Sequence, residues 1–314
     1  MDAICFYNKL ATKSKLNYYV IQELKEYFPF FIAKKRKDFE SWGEIIEKEK
    51  PKYLFIIGGD GTLSLTLTQI LNSNLKPKIV YLPTGDTNHF GEKLKINIEN
   101  YVKNLIEDFK RGEFKKNKIA QVETLELKFD GGVRYGFTAL LGFAKNIAKT
   151  YHALRRIDAN PHKKISRFFA IFQKIFYKRL EKILFNKEEK DDFDCEYWKI
   201  KIDDKILNYK HFNLAIIGKF FNFGNKEFFP GIFEAKNKIG YYFGRLYPLG
   251  VAIALFYKFF GARPSFLDLY EGSANEIKII PYKKPIECSF DGELVRSSEF
   301  AFKPGKQIEL IIPR

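Results

Sequence analysis

The stretch that decides the fold is residues 53–62, which read YLFIIGGDGT. Five consecutive apolar or aromatic residues predict a short strand that is buried on both faces. The glycine-rich turn Gly58-Gly59-Asp60-Gly61-Thr62 follows at once, and residues 63–71 have the composition of a helix. A buried strand, a glycine-rich turn and a helix in this order predict one unit of an open α/β sheet.

The turn GGDGT has features of an anion-binding site. Glycines let the backbone approach a ligand closely, and a helix N-terminus favours negative charge. Thr62 can cap the helix or donate to a phosphate oxygen. Asp60 would repel phosphate unless a bound Mg²⁺ or a hydrogen-bond network compensates its charge. An ordinary β–turn–α connection is the alternative, and the turn matches neither the P-loop nor the GxGxxG pattern.

On either side of this stretch, short apolar segments alternate with amphipathic ones. We predict strands at 3–7, 30–32, 53–57 and 78–82, and helices at 15–27, 39–48, 63–71 and 98–111. After about residue 118 the pattern changes to short strands separated by turns. We predict a hairpin over 122–140 that turns at 130–132, and strands at 197–202, 212–217, 239–243, 276–280, 286–290 and 307–312.

These patterns predict two domains. Residues 1–118 are expected to form an α/β domain with an open, mostly parallel sheet. Residues 119–314 are expected to form a β-sandwich with helical insertions.

A second polar loop, PTGDTNHF, covers residues 83–90 after the next predicted strand. Ligands of open α/β sheets bind at the carboxyl ends of the strands, so this loop and GGDGT should line one crevice. Thr87 and Asn88 offer donors and acceptors to a nucleotide. His89, a lone histidine beside Phe90, is more typical of a structural residue.

A third polar segment, SFDGE, covers residues 289–293. Asp-Gly is common in hairpin turns, which is the simplest interpretation. Alternatively, Asp291 and Glu293 lie two residues apart on a strand and therefore point to one face. Such a pair can supply a general base and a partner for a metal or a phosphate network.

Together the three motifs resemble the diacylglycerol kinase catalytic-domain family, which is the lipid-kinase branch of a superfamily that also contains NAD kinases. Asn8 is similar to the asparagine that closes the first strand of the family. Residues 141–144, LGFA, resemble the segment that opens its second domain. Residues 231–235 and 238–240 lie where the family has its proline-, alanine- and DG-containing segment.

The resemblance implies a two-domain, ATP-dependent lipid kinase. Its nucleotide-binding domain would be residues 1–118, its lipid-substrate domain would be residues 119–314, and the active site would lie in the cleft between them. Asp291 would be the general base that acts on a hydroxyl of diacylglycerol or a related lipid. Glu293 would support Mg²⁺ or the nucleotide, and Asp60 would organise the phosphate and metal network. The implied ATP-binding residues are Asn8, Gly58, Gly59, Asp60, Gly61, Thr62, Thr84, Gly85, Thr87 and Asn88.

The sequence also departs from the family pattern. Leu65 stands where an acidic residue usually follows GGDGT, His89 replaces the second acid of the next motif, and Lys238 replaces the aspartate of the DG segment. These departures leave the lipid substrate open. One alternative is an NAD kinase or other small-molecule kinase, whose Asn-Glu pair the sequence lacks between Asp60 and Gly142. The other is a non-catalytic relative that binds lipid or nucleotide.

The net charge of +16 points to an anionic partner. Residues 145–187 contain twelve Lys and Arg but only Asp158 and Glu181, and phenylalanines recur there at helical spacing. A basic helix with an aromatic face is typical of attachment to an anionic membrane surface. A core helix with snorkelling lysines is the alternative. Residues 246–266 are a second apolar segment that suits lipid contact or the core.

Composition excludes several classes of protein. Three separated cysteines argue against a disulfide framework or a zinc site. No apolar run approaches the ~20 residues that a membrane span needs, and no signal peptide is recognisable. We therefore expect a cytoplasmic protein that associates peripherally with membranes. Nucleic acid is not an expected partner, since no nucleic-acid-binding motif accompanies the charge. A homodimer is compatible with the sequence.

Overall fold

Alternating strands and helices of the N-terminal third build a parallel sheet that is covered on both faces. The architecture comes from a computed structural model of the chain. It describes residues 2–9, 15–73, 75–85, 88–94, 96–112, 118–146, 149, 196–219, 222–223, 226–227, 236–245, 269–282 and 284–312.

The elements of the N-terminal part are β1 (Ala3–Asn8), α1 (Lys15–Leu24), β2 (Phe30–Ala33), a 3-10 helix (Arg36–Phe39), α2 (Ser41–Glu49), β3 (Tyr53–Gly58), α3 (Asp60–Asn72), β4 (Lys78–Pro83), α4 (His89–Lys93) and α5 (Ile98–Lys110). The strands of the rest are β5 (Ile119–Phe129), β6 (Gly132–Gly136), β7 (Thr138–Gly142), β8 (Glu196–Ile202), β9 (Lys205–Phe212), β10 (Leu214–Gly218), β11 (Asn222–Phe223), β12 (Lys226–Glu227), β13 (Ile239–Gly244), β14 (Leu269–Ala274), β15 (Ile277–Pro281), β16 (Ile286–Phe290), β17 (Glu293–Ser297) and β18 (Phe300–Ile311).

The parallel strands have the order β2-β1-β3-β4. The inner strands β1, β3 and β4 consist mostly of buried apolar residues, because both of their faces are covered. On one face, Leu54 and Ile56 of β3 pack in a core that contains Trp42 of α2 and Leu67 of α3. On the other face, alternate residues of the same strands pack with α1 and α5. Because these strands are adjacent and parallel, the carboxyl ends of β1, β3 and β4 lie side by side at one edge of the sheet.

The C-terminal strand completes this sheet. Leu310 and Ile311 of β18 pair in parallel with Ile79 and Val80 of β4, while the rest of β18 pairs antiparallel with β5 and β15. The result is a ten-stranded sheet that runs through both parts of the sequence. Pairing with β18 removes the exposed edge that β4 would otherwise present. The boundary between residues 118 and 119 stays a prediction.

A six-stranded antiparallel sheet, β14-β13-β10-β7-β16-β17, packs on the large sheet. The core between the two sheets contains the large buried side chains of Trp198, Phe212, Phe243 and Phe290. Strand alternation places these residues inward, and aromatic rings fill the space between the layers. The predicted fold class, a largely parallel α/β part followed by an antiparallel sandwich, is confirmed.

One predicted strand, 133–140, is wrong in a way that matters for the site. The chain leaves the large sheet after Gly136 and enters the six-stranded sheet at Thr138, so Phe137 lies at a crossover between the sheets. The ring of Phe137 is buried and stacks on Phe90 of α4, with 4.4 Å between ring centroids. The side chain of Phe137 thus belongs to the core that α3 and α4 share, while the residues on either side of it belong to different sheets.

The structure describes the predicted basic aromatic region, 145–187, only at residues 145, 146 and 149. The apolar segment 246–266 and the segment 231–235, which resembles the family's, lie outside the described residues. Within the described part of the chain, no helix combines the length and apolar character that crossing a membrane requires.

Candidate active site

The carboxyl ends of three neighbouring parallel strands form the floor of the site. Asn8 is the last residue of β1, and Gly58 is the last residue of β3. The amide Nδ2 of Asn8 donates a buried hydrogen bond of 2.8 Å to the hydroxyl Oγ1 of Thr62. The bond links the first strand to the start of α3, so two residues predicted for the nucleotide site are in contact.

Helix α3 begins inside the GGDGT motif. Gly59 is its N-cap residue and, having no side chain, leaves the first N–H groups uncapped. Asp60, Gly61 and Thr62 form the first turn. The first N–H groups of a helix have no partner within the helix and favour an anionic ligand. The predicted helix at 63–71 therefore starts three residues earlier, and the motif contributes helical N–H groups as well as loop backbone.

The second loop approaches the first at backbone distance. A Cβ atom at Gly85 would lie 2.2 Å from Cα and 2.5 Å from the nitrogen of Gly59. Thr84 also donates its backbone N–H to the carbonyl oxygen of Gly58, at 3.0 Å. The two loops thus pack against each other, and only glycine fits at position 85 because backbone atoms cannot move aside.

Two oxygens in the second loop lack partners. Asn88 donates Nδ2 to the carbonyl oxygens of Pro83 and Gly85, both at 2.7 Å. Its own Oδ1 is buried with no hydrogen-bond partner, and the same is true of the buried hydroxyl of Thr84. Buried polar atoms without partners are rare in folded proteins and suit a ligand with donors and acceptors of its own.

Asp60 is buried, and protein groups hold its carboxylate. The hydroxyl of Tyr81 donates to Oδ1 of Asp60 at 3.0 Å, and the backbone N–H of Phe90 approaches the same oxygen at 3.4 Å. Burial first, and then the charge of Asp60, raise the pKa of Tyr81 well above its ordinary value. Tyr81 is therefore a hydrogen-bond donor at any ordinary pH, and it helps to compensate the carboxylate beside the turn.

Asp291 reaches the site from the opposite sheet. Asp291 and Gly292 form the turn between β16 and β17, with φ of 46° and 87°. These left-handed values are typical of the two-residue type I′ hairpin turn. The prediction that Asp291 and Glu293 lie two residues apart on one strand is wrong, because the turn separates them and only Glu293 lies on a strand.

Backbone hydrogen bonds hold the Asp291 carboxylate firmly. The N–H of Phe137 donates to Oδ2 and the N–H of Thr138 donates to Oδ1, each at 2.9 Å. The N–H of Asp291 itself donates to the carbonyl oxygen of Thr138, also at 2.9 Å. The sheet crossover at Phe137 thus supplies the donors, and the side chain of Asp291 has a single orientation.

The DGE turn meets the GGDGT helix. A Cβ atom at Gly61 would lie 3.2 Å from the carbonyl oxygen of Asp291 and 3.4 Å from Oε1 of Glu293. Burial first, and then the neighbouring charge of Asp60, raise the pKa of Asp291 from 3.8 to about 8. The hydrogen bonds from Phe137 and Thr138 oppose this rise because they favour the carboxylate form. The site therefore contains a carboxyl group that can hold or release a proton near neutral pH.

The structure brings most of the predicted residues together. Asn8, Gly58 to Thr62, Thr84, Gly85, Asn88, Asp291 and Glu293 all contribute to this edge of the sheet or to the turn that faces it. Thr87 lies outside the described residues, and only the backbone of His89, the first residue of α4, is described. Leu65 packs on the core below the site, and the carbonyl oxygen of Lys238 accepts a hydrogen bond from Lys219.

Several residues of the site were not predicted. Tyr81, Gly136, and the N–H groups of Phe137 and Thr138 support the two carboxylates. Gly136 carried a detectable signal, since a glycine inside a predicted strand often marks a close approach. A Cβ atom there would lie 2.0 Å from Oδ2 of Asp291. The backbone donors carried none, because every residue except proline has an N–H group.

The donor set suits a metal only together with a ligand. Among the described residues, no three His, Cys, Asp or Glu side chains gather as a ready-made metal site. Mg²⁺, however, is usually bound by one or two carboxylates together with substrate phosphates. Asp60 and Glu293, which lie in and beside the first turn of α3, fit that mode of binding.

The fold and the site define a class: a two-sheet α/β protein in which a glycine-rich helix start faces a carboxylate from a sandwich. Residues 2–122 match the family described as the diacylglycerol kinase catalytic domain, which confirms the resemblance predicted from the motifs. The matched residues contain all predicted site residues except Asp291 and Glu293. No curated protein matches the sequence.

Three solved structures from Bacillus anthracis str. Sterne have the same fold. One is a diacylglycerol kinase, with 14% identity, a TM-score of 0.62, and coverage of 99% of this chain and 96% of its own. Two others are assigned provisionally to the same activity. Their identities are 14% and 17%, their TM-scores 0.69 and 0.67, and their coverage 99% of this chain and 96% and 97% of theirs. At these identities the likeness establishes the fold, and it extends over both sheets.

Proposed function

We propose that the protein is an ATP-dependent lipid kinase that phosphorylates a hydroxyl of diacylglycerol or a related lipid. The observation that carries the proposal is the convergence of the GGDGT helix start with the carboxylate of Asp291. Phosphoryl transfer needs positioning and charge stabilisation more than covalent chemistry by the protein. A phosphate cradle that faces a base with a raised pKa supports that reaction.

The nucleotide would bind over the two glycine-rich loops. The N–H groups at the start of α3 would contact its phosphates, as helix N-termini do in many phosphate sites. The unpartnered Thr84 Oγ1 and Asn88 Oδ1 would gain partners from the nucleotide. The close approach of Gly85 to Gly59 keeps both backbones within reach of one ligand.

Asp291 would accept the proton of the lipid hydroxyl as that oxygen attacks the γ-phosphorus of ATP. The carboxylate is held by the N–H groups of Phe137 and Thr138, so it needs no reorientation. Its raised pKa, about 8, makes the carboxylate a stronger base than an ordinary aspartate. Asp60 contributes to that rise, and Asp60 and Glu293 would hold a divalent metal, for which we propose Mg²⁺. Such a metal would supply positive charge that offsets the negative charge of the phosphates.

We also propose that the protein associates peripherally with anionic membranes, since its substrate would be dissolved in the bilayer. The support is the cluster of basic and aromatic residues at 145–187 in the sequence. Co-sedimentation with phosphatidylglycerol vesicles should exceed that with phosphatidylcholine vesicles and fall in high salt. Equal binding to both vesicles would contradict an electrostatic attachment.

The decisive experiment is phosphate transfer from labelled ATP to diacylglycerol, a sphingoid base, other lipid alcohols and NAD. Asp291→Asn should abolish transfer while binding of a fluorescent ATP analogue persists, and Gly85→Ala should weaken that binding more than tenfold. Lys52→Met serves as a control, because Lys52 forms an exposed ion pair with Asp2 on the surface. Product with NAD and none with any lipid would overturn the proposal. Absence of every product would favour a non-catalytic lipid- or nucleotide-binding protein.

A further inference from the structure

A partly buried lysine lies behind the donors that hold Asp291. Lys219 follows the last residue of β10, and its side chain is 10% exposed. Its ammonium group pairs with the carboxylate of Glu123, which is 16% exposed, and donates to the carbonyl oxygen of Lys238 at 2.6 Å. None of the motifs on which the proposed function rests includes this lysine.

The ion pair joins the two sheets. Glu123 lies on β5 of the ten-stranded sheet, whereas Lys219 follows β10 and Lys238 precedes β13 in the six-stranded sheet. A partly buried ion pair adds little stability, because desolvating both charges offsets much of their attraction. The pair instead constrains geometry, because the attraction is strong only when the two charged groups lie at a short distance from each other. The pair therefore sets how the end of β10 sits against β5.

The backbone of Lys219 is connected to Asp291 through one peptide unit. The N–H of Lys219 donates to the carbonyl oxygen of Phe137 at 2.9 Å. That carbonyl belongs to the same peptide group as the N–H of Thr138, which donates to Oδ1 of Asp291 at 2.9 Å. Hydrogen bonds in series through a peptide group polarise one another, so the first bond strengthens the second and fixes the plane of the peptide.

We propose that Lys219 is a positioning residue for Asp291: paired with Glu123, it holds the Phe137–Thr138 peptide in the orientation that binds the Asp291 carboxylate. The inference rests on the proposed function for its kinetic consequence, but its structural content stands apart from any activity. A chain with an uncharged residue at position 219 would keep Asp291 at the site with a looser carboxylate.

The first test follows the backbone amides of Phe137 and Thr138 by ¹H–¹⁵N NMR at one fixed pH. Loosening the two bonds that these N–H groups donate to Asp291 should let both amides exchange with solvent about tenfold faster in Lys219→Met. Lys219→Arg should restore the wild-type exchange rates.

Because Lys219→Met leaves Glu123 partly buried without its partner, a double variant with Glu123→Gln provides a second route. The double variant contains no unpaired charge, and its Phe137 and Thr138 amides should exchange faster by the same factor. Lys52→Met is the matched control, since it removes a lysine from an exposed ion pair, and it should leave the exchange rates unchanged. Unchanged exchange of the Phe137 and Thr138 amides in folded Lys219→Met or in the double variant would overturn the inference.

The second test is kinetic. Lys219→Met should lower kcat about tenfold with an unchanged KM for ATP, and Lys219→Arg should restore kcat. Equal losses in Lys219→Met and Lys219→Arg would contradict a positioning role. If the wild-type protein transfers no phosphate, the proposed function fails, and the amide exchange alone then decides on the role of Lys219.

Discussion

Replacing Gly136 by alanine should disable the site through one methyl group. The added Cβ would lie 2.0 Å from Oδ2 of Asp291, and 2.7 Å from both Cε1 of Phe290 and Oγ of Ser64. Contacts of a Cβ below 3.0 Å essentially never occur, so the carboxylate must retreat by about 1 Å. The backbone of Gly136 is not in the left-handed region, and the effect is therefore purely steric.

The retreat lengthens the bonds that Asp291 accepts from Phe137 and Thr138, both of which are 2.9 Å long. A displacement of this size at a reacting group costs about 100-fold in rate, or about 2.7 kcal/mol. Overpacking should also lower the free energy of unfolding by about 1–3 kcal/mol. The KM for ATP should change less than about twofold, because the loops that would bind the nucleotide are untouched.

The assay is transfer of labelled phosphate to diacylglycerol in mixed micelles, measured at saturating ATP for the wild type and Gly136→Ala. Gly43→Ala is a matched control, because its Cβ would meet the side chain of Gln69, whose flexible end approaches it most closely, with Oε1 at 2.8 Å. The control should retain its activity. If a folded Gly136→Ala protein keeps more than about a third of the wild-type kcat, the placement of Asp291 is not what determines the rate.

Three further predictions address the same groups. Because the pKa of Asp291 is raised to about 8, kcat should rise with pH through that value, and an activity plateau already reached at pH 6 would contradict a role as base. The same shift means that the folded state holds this proton more tightly than the unfolded state. Its contribution to the free energy of unfolding should therefore be lost as pH rises from about 4 to about 8, as urea midpoints of the wild type and Asp291→Asn can test. Tyr81→Phe removes the donor to Asp60 and should lower the free energy of unfolding by about 1–3 kcal/mol, with a fall in kcat; an unchanged urea midpoint would show that the bond is dispensable. Gly85→Ala should weaken ATP binding more than tenfold in a fluorescence titration, because its Cβ would meet the backbone of Gly59 at 2.2 Å, and unchanged affinity would exclude the loop from the site.

Much of the N-terminal architecture could be predicted because its signals are local. The apolar run of β3 and the turn after it lie in ten consecutive residues. A strand that is buried on both faces shows such a continuous apolar run. Asn8, Gly58 and Thr84 end or follow neighbouring parallel strands, so their proximity follows from the order of the elements. The family match over residues 2–122 confirms the resemblance that these motifs carried.

The C-terminal half was less predictable, and Phe137 shows why. Residues 133–140 alternate well enough to be one strand, but the chain changes sheets in the middle of them. Periodicity reports which face a side chain points to and says nothing about which sheet a strand joins. The pairing of β18 with β4 likewise joins the end of the chain to a strand formed much earlier. Such long-range pairing has no local signature.

The sequence by itself determined the α/β class, the glycine-rich turn and the two loops at the edge of the sheet. These features depend on the order and polarity of neighbouring residues, which the sequence states directly. Only the tertiary structure decided what Asp291 does, because its donors, Phe137 and Thr138, lie about 150 residues earlier in the chain. The raised pKa of Asp291 arises from burial and from Asp60, and both depend on how the two sheets meet. A carboxylate therefore becomes a candidate base through its surroundings, and those surroundings exist only in the folded chain.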